Sequence, residues 1–391
     1  MDKVVKEVFR ATELSLKQEK ITFEITDQKR FFQVARENGL SGILYSQLDK
    51  NNINPEVYTL FHKDFLAYTH SDILQEHVVK ELTNLFNEAG IDHIFLKGVV
   101  LKKLYPEPYM RSMGDIDLVV KEAHHPKAKK LMKEANYELI SDSQQHTNFK
   151  HLSGVHLELH PRLSYVFNEK HAKFLESVWV YAVQSELHRY QFKPEFELVY
   201  LLYHMAKHFY GTGVGIRSVL DIGIYAKHYE ASFNLEELDK ILEKSNLTTF
   251  LGTMLLLNRM YFNLDVLSKY VKNISLSNQT FEKVTQLIVS SGVHGHGKDF
   301  NPFLGRLGGS KVKGQKKLVF ILALTFPSYR SMKGMYPWLR YVPFMYPFTW
   351  VIRWMKLVFK KTRRTLGKIK QLFVSNEAGA EIANLYKDIG L

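Results

Sequence analysis

Six consecutive residues, Asp115-Ile116-Asp117-Leu118-Val119-Val120, restrict the fold of this chain more than any other stretch. Acid and apolar side chains alternate and the run then turns wholly apolar, the pattern of a strand with one face on a core. Residues two apart on a strand share a face, so Asp115 and Asp117 project together while Ile116 and Leu118 point into the core. Two adjacent carboxylates repel each other and call for a cation. Oxygen donors at this spacing suit Mg²⁺ or Mn²⁺, with substrate phosphates completing the shell. Taken alone, the pair also fits a solvated strand edge.

What precedes the acids narrows the choice. The apolar run Ile94-Phe95-Leu96 ends at Lys97-Gly98, a helix-like segment covers Val99 to Tyr105, and a loop from Pro106 to Pro108 leads to Arg111. A strand ending in Lys-Gly, a helix, an Arg and then an acid pair make a phosphate cradle beside a metal site. Farther on, Val155 to His160 alternates cleanly. It puts His156, Glu158 and His160 on one face and Val155, Leu157 and Leu159 on the other. That polar face also fits a half-exposed strand, and His156 and His160 fit orienting or solvated roles.

The set Lys97, Gly98, Leu104, Tyr105, Pro106, Arg111 and Asp115-Ile116-Asp117-Leu118 resembles the DNA polymerase β-like nucleotidyltransferase superfamily, and more closely its branch of uncharacterised nucleotidyltransferases. The resemblance covers roughly residues 20 to 270. Where the wider superfamily has Gly-Ser, this chain has Lys-Gly. The resemblance implies an α+β fold, a nucleotidyltransferase mixed-sheet core flanked by N- and C-terminal helical regions. It implies transfer of an NMP from an NTP, ATP being the expected donor, to an unidentified acceptor with release of pyrophosphate. Asp115, Asp117 and Glu158 are then the metal-binding and catalytic carboxylates, with Mg²⁺ or Mn²⁺ as cofactor. Lys97, the Gly98 backbone and Arg111 are expected at the β- and γ-phosphates.

The helix expected over Phe196 to Tyr210 carries His204, Lys207 and His208, and the next, Ile216 to Tyr229, carries Arg217 and Asp221. His204 and His208 have the i, i+4 spacing of zinc ligands, but Met205 breaks the HExxH pattern. The family has a similar His-x-x-x-His helix over the open side of its cleft. The resemblance therefore assigns nucleotide or acceptor contact to Lys207, His208 and Arg217, with Asp221 orienting Arg217. A polar seam between helices is the other reading.

Four regions follow: a helical region over 1–90, the α/β core over 91–165, a helical domain closing the cleft over 166–270, and a loop-rich, basic region over 271–391. Within them, Ala172 to Val180 reads as a short helix or strand, residues 272 to 317 as loops, and Gly292 to Gly297 as a flexible loop. The chain has no cysteine, which excludes disulfides, thiolate metal sites and a Cys nucleophile. The N-terminal segment is charged throughout and lacks an apolar signal core, so a cytoplasmic location is expected.

The net charge of +13 is uneven. From Phe300 to Asn376 there is no Asp or Glu, while 16 Lys and Arg lie between Arg306 and Lys370, leaving the remainder slightly acidic. Leu318 to Phe326 is too short to span a bilayer, and Tyr341 to Phe359 contains two prolines, Arg353 and Lys356. From Trp350 on, Trp350, Val351, Trp354, Leu357 and Val358 share one helical face and Arg353, Lys356, Lys360, Arg363 and Arg364 the other. Residues 350–370 thus fit a helix lying on an anionic membrane surface, at the inner face of the membrane. A helix docked on the protein's own core and a nucleic-acid face are the competing readings, and no nucleic-acid module surrounds the segment. A non-catalytic nucleotide-binding or scaffold module, tethered by this tail, is the alternative function.

Overall fold

The computed structural model describes residues 1–143, 145–163, 169–211, 213–293, 325–360 and 376–391. The acid–apolar run forms the middle strand of a seven-stranded mixed sheet. The strands are β1 His93–Phe95, β2 Asp115–Val120, β3 Glu138–Asp142, β4 Thr147–Lys150, β5 His156–His160, β6 Ala182–Glu186 and β7 Arg189–Phe192. Their order is β3-β4-β5-β2-β1-β7-β6. β2 runs antiparallel to β1 and parallel to β5, and its register sets Asp115 opposite His156 and Asp117 opposite Glu158. β4 and β5 are antiparallel, with Thr147 opposite Leu159.

The strand period decides which face is buried. Ile116, Leu118 and Val120 of β2, Leu157 and Leu159 of β5, and Phe149 of β4 pack in one cluster with Val78, Val79, Leu82 and Phe86 of the helix Pro55–Glu88. Ala128 and Met132 of a second helix, His125–Glu134, join the same cluster. Each fully buried aliphatic or aromatic side chain here contributes about 1.5–3 kcal/mol. The opposite face, bearing the acids and histidines, is left to line a cleft. The helix at 55–88 has Asn54 capping Glu56 and Pro55 in its first turn, and ends before Gly90 at φ 65°.

The helices after the sheet, Pro194–Phe209 (hereafter the His-Lys helix) and Ile216–Tyr229, match the expected segments. Two expectations fail. Residues 182–192 are a hairpin, β6–β7, and β7 extends the sheet by pairing parallel with β1. Residues 278–291 are a helix, Asn278–Ser291, and not loop. Ser277 caps Thr280, and Val284, Thr285, Ile288 and Ser291 form its buried stripe. Of the Gly292–Gly297 loop, residues 294–297 lie outside the described residues.

The chain divides into a unit of Met1–Phe300 with Asp388–Leu391 and a second of Asn301–Lys387. Most of the expected Leu318–Phe326 run lies outside the described residues, as do Arg363 and Arg364. Within the second unit, Tyr346–Lys360 is helical. Its exposed apolar residues differ from those expected. Trp350 and Trp354 turn inward, stacking edge-on against Phe326 and donating indole N–H groups to the carbonyls of Pro327 and Thr325. Val351 of the expected face is exposed, and it is joined on the outside by Phe348 and Met355, with Phe344 just before the helix. Indole N–H groups need partners, and backbone carbonyls of a neighbouring segment supply them. Among the described residues no helix is long and apolar enough to cross a membrane.

Candidate active site

Every site residue expected from the sequence lines one cavity of about 300 Å³, at the lower end of small-molecule sites. Asp115, Asp117 and Glu158 come from the parallel pair β2–β5. Lys97 and Gly98 come from the turn after β1, Arg111 from the loop before β2, Lys207 and His208 from the His-Lys helix, and Arg217 from the helix after it.

Asp117 is the hub. Its Oδ1 accepts from Lys97 Nζ at 2.7 Å and lies 3.0 Å from His160 Nε2. Burial would raise its pKa, but the Lys97 charge and the His160 hydrogen bond outweigh that and hold the carboxyl well below the usual range. Burial would lower Lys97, and the same pairing raises it instead. Asp115, half-buried and without such a partner, is pushed up by burial and by the charge of Asp117. Glu158 is pushed up to about 7, first by burial and then by Asp117 and Asp115. The cluster therefore pairs one firmly ionised carboxylate with one poised near neutrality, the division of roles that acid–base chemistry uses.

Lys97 adopts φ 51°, ψ −109°, a conformation that costs a non-glycine residue about 1–3 kcal/mol. Beside it lies Glu197, a buried carboxyl of the His-Lys helix that burial pushes up to about 8 and whose Oε1 has no hydrogen-bond partner among the described residues. Glu197 escaped the sequence reading, although an acid inside the apolar run Phe196 to Tyr203 was its visible signal. A Cβ at Gly98 would overlap the Met113 side chain, which would have to move aside.

The basic side differs from expectation in one respect. Asp221 binds Arg111, not Arg217: its oxygens lie 3.2 and 3.0 Å from Arg111 Nε and Nη2, and Tyr105 donates to it at 2.8 Å. The fork-to-carboxylate geometry suits Arg111, which enters from the facing loop. Arg217 donates instead to the carbonyl and hydroxyl of Ser112, at 2.9 and 2.7 Å. Burial and the nearby Arg111 push its guanidinium down to about 10, and its buried Nε has no hydrogen-bond partner among the described residues. Asp221 thus neutralises Arg111, while Arg217 has no carboxylate bonded to it among the described residues, leaving positive charge that an anion would satisfy. Lys207 is lowered by burial and by Lys97.

His204 and His208 lie ring against ring, with Nε2 atoms 3.2 Å apart. The group of described residues able to hold a metal is a different one, His146, Glu158 and His160. His146 was not singled out in the sequence. It precedes Thr147, and continuation of the β4–β5 register carries it opposite His160, with ring centroids 5.4 Å apart. His156 is exposed.

A mixed sheet thus carries paired acids that face a cleft lined by basic side chains. The family described as uncharacterised nucleotidyltransferase matches residues 24–263, and the chain belongs to that family. No curated protein and no solved structure matches it. Membership supports nucleotidyl transfer as the general activity, and such enzymes generally use divalent metals.

Proposed function

We propose that this protein transfers an NMP from an NTP to an acceptor hydroxyl or phosphate and releases pyrophosphate. The observation that carries the reading is the convergence of three carboxylates and four basic side chains, Lys97, Arg111, Lys207 and Arg217, on one cavity in a chain of this family. Asp115, Asp117 and Glu158 are oxygen donors from adjacent strands, a set that fits Mg²⁺ or Mn²⁺. Divalent ions held there would polarise the α-phosphate and lower the acceptor pKa. Glu158, with its pKa about 7, is suited to take the acceptor proton. Arg217 and Lys207 are placed for the β- and γ-phosphates, with His208 and the Gly98 backbone at the cavity wall. Arg111, clamped by Asp221, fixes the loop that carries it as well as adding charge. Lys97 neutralises Asp117, and reaching a phosphate would require it to leave that carboxylate.

The test is release of pyrophosphate from each NTP, ATP first, with extracts of cytoplasmic metabolites and macromolecules supplied as acceptors. Turnover of the Asp115→Ala, Asp117→Ala double variant at the wild-type rate would refute the metal assignment.

A second reading concerns the tail. Phe344, Phe348, Val351 and Met355 are exposed apolar side chains spaced along one side of a helical segment in a span without acids. That pattern suits peripheral contact with an anionic membrane surface. Phe348→Ser, Val351→Ser and Met355→Ser together should abolish sedimentation with anionic vesicles. Unchanged sedimentation rejects this reading.

A further inference from the structure

The three-carboxylate set leaves His146 and His160 unexplained. Both rings reach the cleft from the β4–β5 hairpin and flank the same carboxylate. His146 Nε2 lies 3.6 Å from Glu158 Oε1, and His160 Nε2 lies 3.5 Å from Glu158 Oε2. One ligand atom from each of the three residues falls within 4.8 Å of the others. Neighbouring ligands of a tetrahedral ion with bonds of about 2.1 Å are separated by roughly 3.4 Å. Each histidine nitrogen therefore stands at about that separation from a Glu158 oxygen, His146 from Oε1 and His160 from Oε2, so the carboxylate bridges the two rings. Asp117 Oδ1, 3.0 Å from His160 Nε2, supplies a fourth donor on the same side.

We infer that His146, Glu158 and His160, with Asp117 beside them, form a mixed nitrogen–oxygen site for a first-row transition ion such as Mn²⁺ or Zn²⁺. The chemistry of the donors carries the choice of ion. Mg²⁺ is hard, dehydrates reluctantly and takes oxygen ligands, whereas imidazole suits transition metals. Two imidazoles and two carboxylates make a poor Mg²⁺ shell and a good Mn²⁺ or Zn²⁺ shell. Coordination through His160 Nε2 requires its ring hydrogen on Nδ1, a change of tautomer and not of charge. The inference rests on the transferase reading for what the ion does, since Glu158 and Asp117 belong to both sets, but not for whether the ion binds.

The arrangement also gives the ion a position apart from Asp115. Asp115 sits opposite His156 in the register, two residues from Glu158, and is not a member of the histidine cluster. The proposed site thus lies at the β4–β5 side of the cleft, where the proton acceptor of the transferase reading stands.

The experiment uses the full chain and Mn²⁺ alone. Pulsed electron paramagnetic resonance of bound Mn²⁺ detects coupling to ligand ¹⁴N. Wild type is expected to show nitrogen modulation, weakened in His146→Ala and in His160→Ala and unchanged in His156→Ala, whose ring is exposed. Mn²⁺ affinity should fall in His146→Ala by at least ten- to a hundred-fold, the loss that even outer-shell changes produce. His146 is part-exposed, so its variant decides the matter even if His160→Ala fails to fold. Absence of nitrogen modulation in wild type, or modulation that survives both substitutions, overturns the inference. NTP binding measured on the same samples separates the two readings. Nitrogen-ligated Mn²⁺ without nucleotide binding keeps the metal site and removes the transferase. Nucleotide binding with oxygen-only Mn²⁺ does the reverse.

Discussion

Lys97→Met tests the electrostatics of the cleft most sharply. Met keeps the length of the side chain and removes its charge. Asp117 then stays buried, 6% exposed, with His160 as its remaining contact among those that hold it low. Removing one partner from a buried ion pair costs about 3–5 kcal/mol, because the other charge is left unsolvated. Lys97 is itself 17% exposed, which places the expected loss near the bottom of that range, about 3 kcal/mol. Replacing both charges, as in Lys97→Met with Asp117→Asn, leaves no stranded ion and should cost only about 1 kcal/mol. The pH dependence has a definite sign. A carboxyl depressed in the folded state stabilises above its unfolded pKa of about 3.9 and loses that contribution as pH falls through the folded value. The deficit of Lys97→Met should therefore be full at pH 7 and shrink below pH 4, as Asp117 is protonated. Urea unfolding followed by circular dichroism at pH 7 and in acid measures it. A single-variant loss below about 1 kcal/mol, or a double variant as unstable as the single, would refute the reasoning.

Two further outcomes follow from the same charges. Glu158, raised from 4.5 to about 7, carries a penalty that is absent below pH 4.5, grows between the two values and is full above pH 7. Glu158→Gln should thus stabilise at pH 8 by about 1–2 kcal/mol after allowance for solvent screening, with no gain near pH 4, read from thermal midpoints. Glu197, neutral at pH 7 with its pKa about 8, should tolerate Glu197→Gln within about 1 kcal/mol, read by urea unfolding at that pH.

The parts of the fold that were legible in the sequence are those with long or clean periodicity. β2 and β5 alternate over five or six residues, and the helices at 55–88, 194–209 and 216–229 carry continuous apolar stripes bounded by caps and glycines. The hairpin β6–β7 was not legible. Ala182–Glu186 and Arg189–Phe192 are short, mostly polar and largely exposed, so little in their own composition demands a strand. What makes β7 a strand is an open edge of β1, where His93 pairs with the distant Arg189, and β6 then pairs with β7. The helix at 278–291 could have been found from Phe281, Val284 and Ile288, with Ser277 as its cap. In the site, residues sharing a strand face were legible because the period of two fixes them. Pairings that depend on how segments approach one another were not. Asp221 could serve either arginine until the loop bearing Arg111 was placed against it. His146 joins the site only because the β4–β5 register, continued one residue before Thr147, carries it opposite His160.

The central claim is that the acid pair and the basic cleft bind an NTP with a divalent ion. Calorimetric titration of ATP, GTP, CTP and UTP into the full chain, with and without Mg²⁺ or Mn²⁺, and into Asp115→Ala, tests it directly. The account predicts metal-dependent binding of at least one nucleotide, lost in the variant. Absence of binding for all four nucleotides under every metal condition, or binding that Asp115→Ala leaves intact, would contradict it.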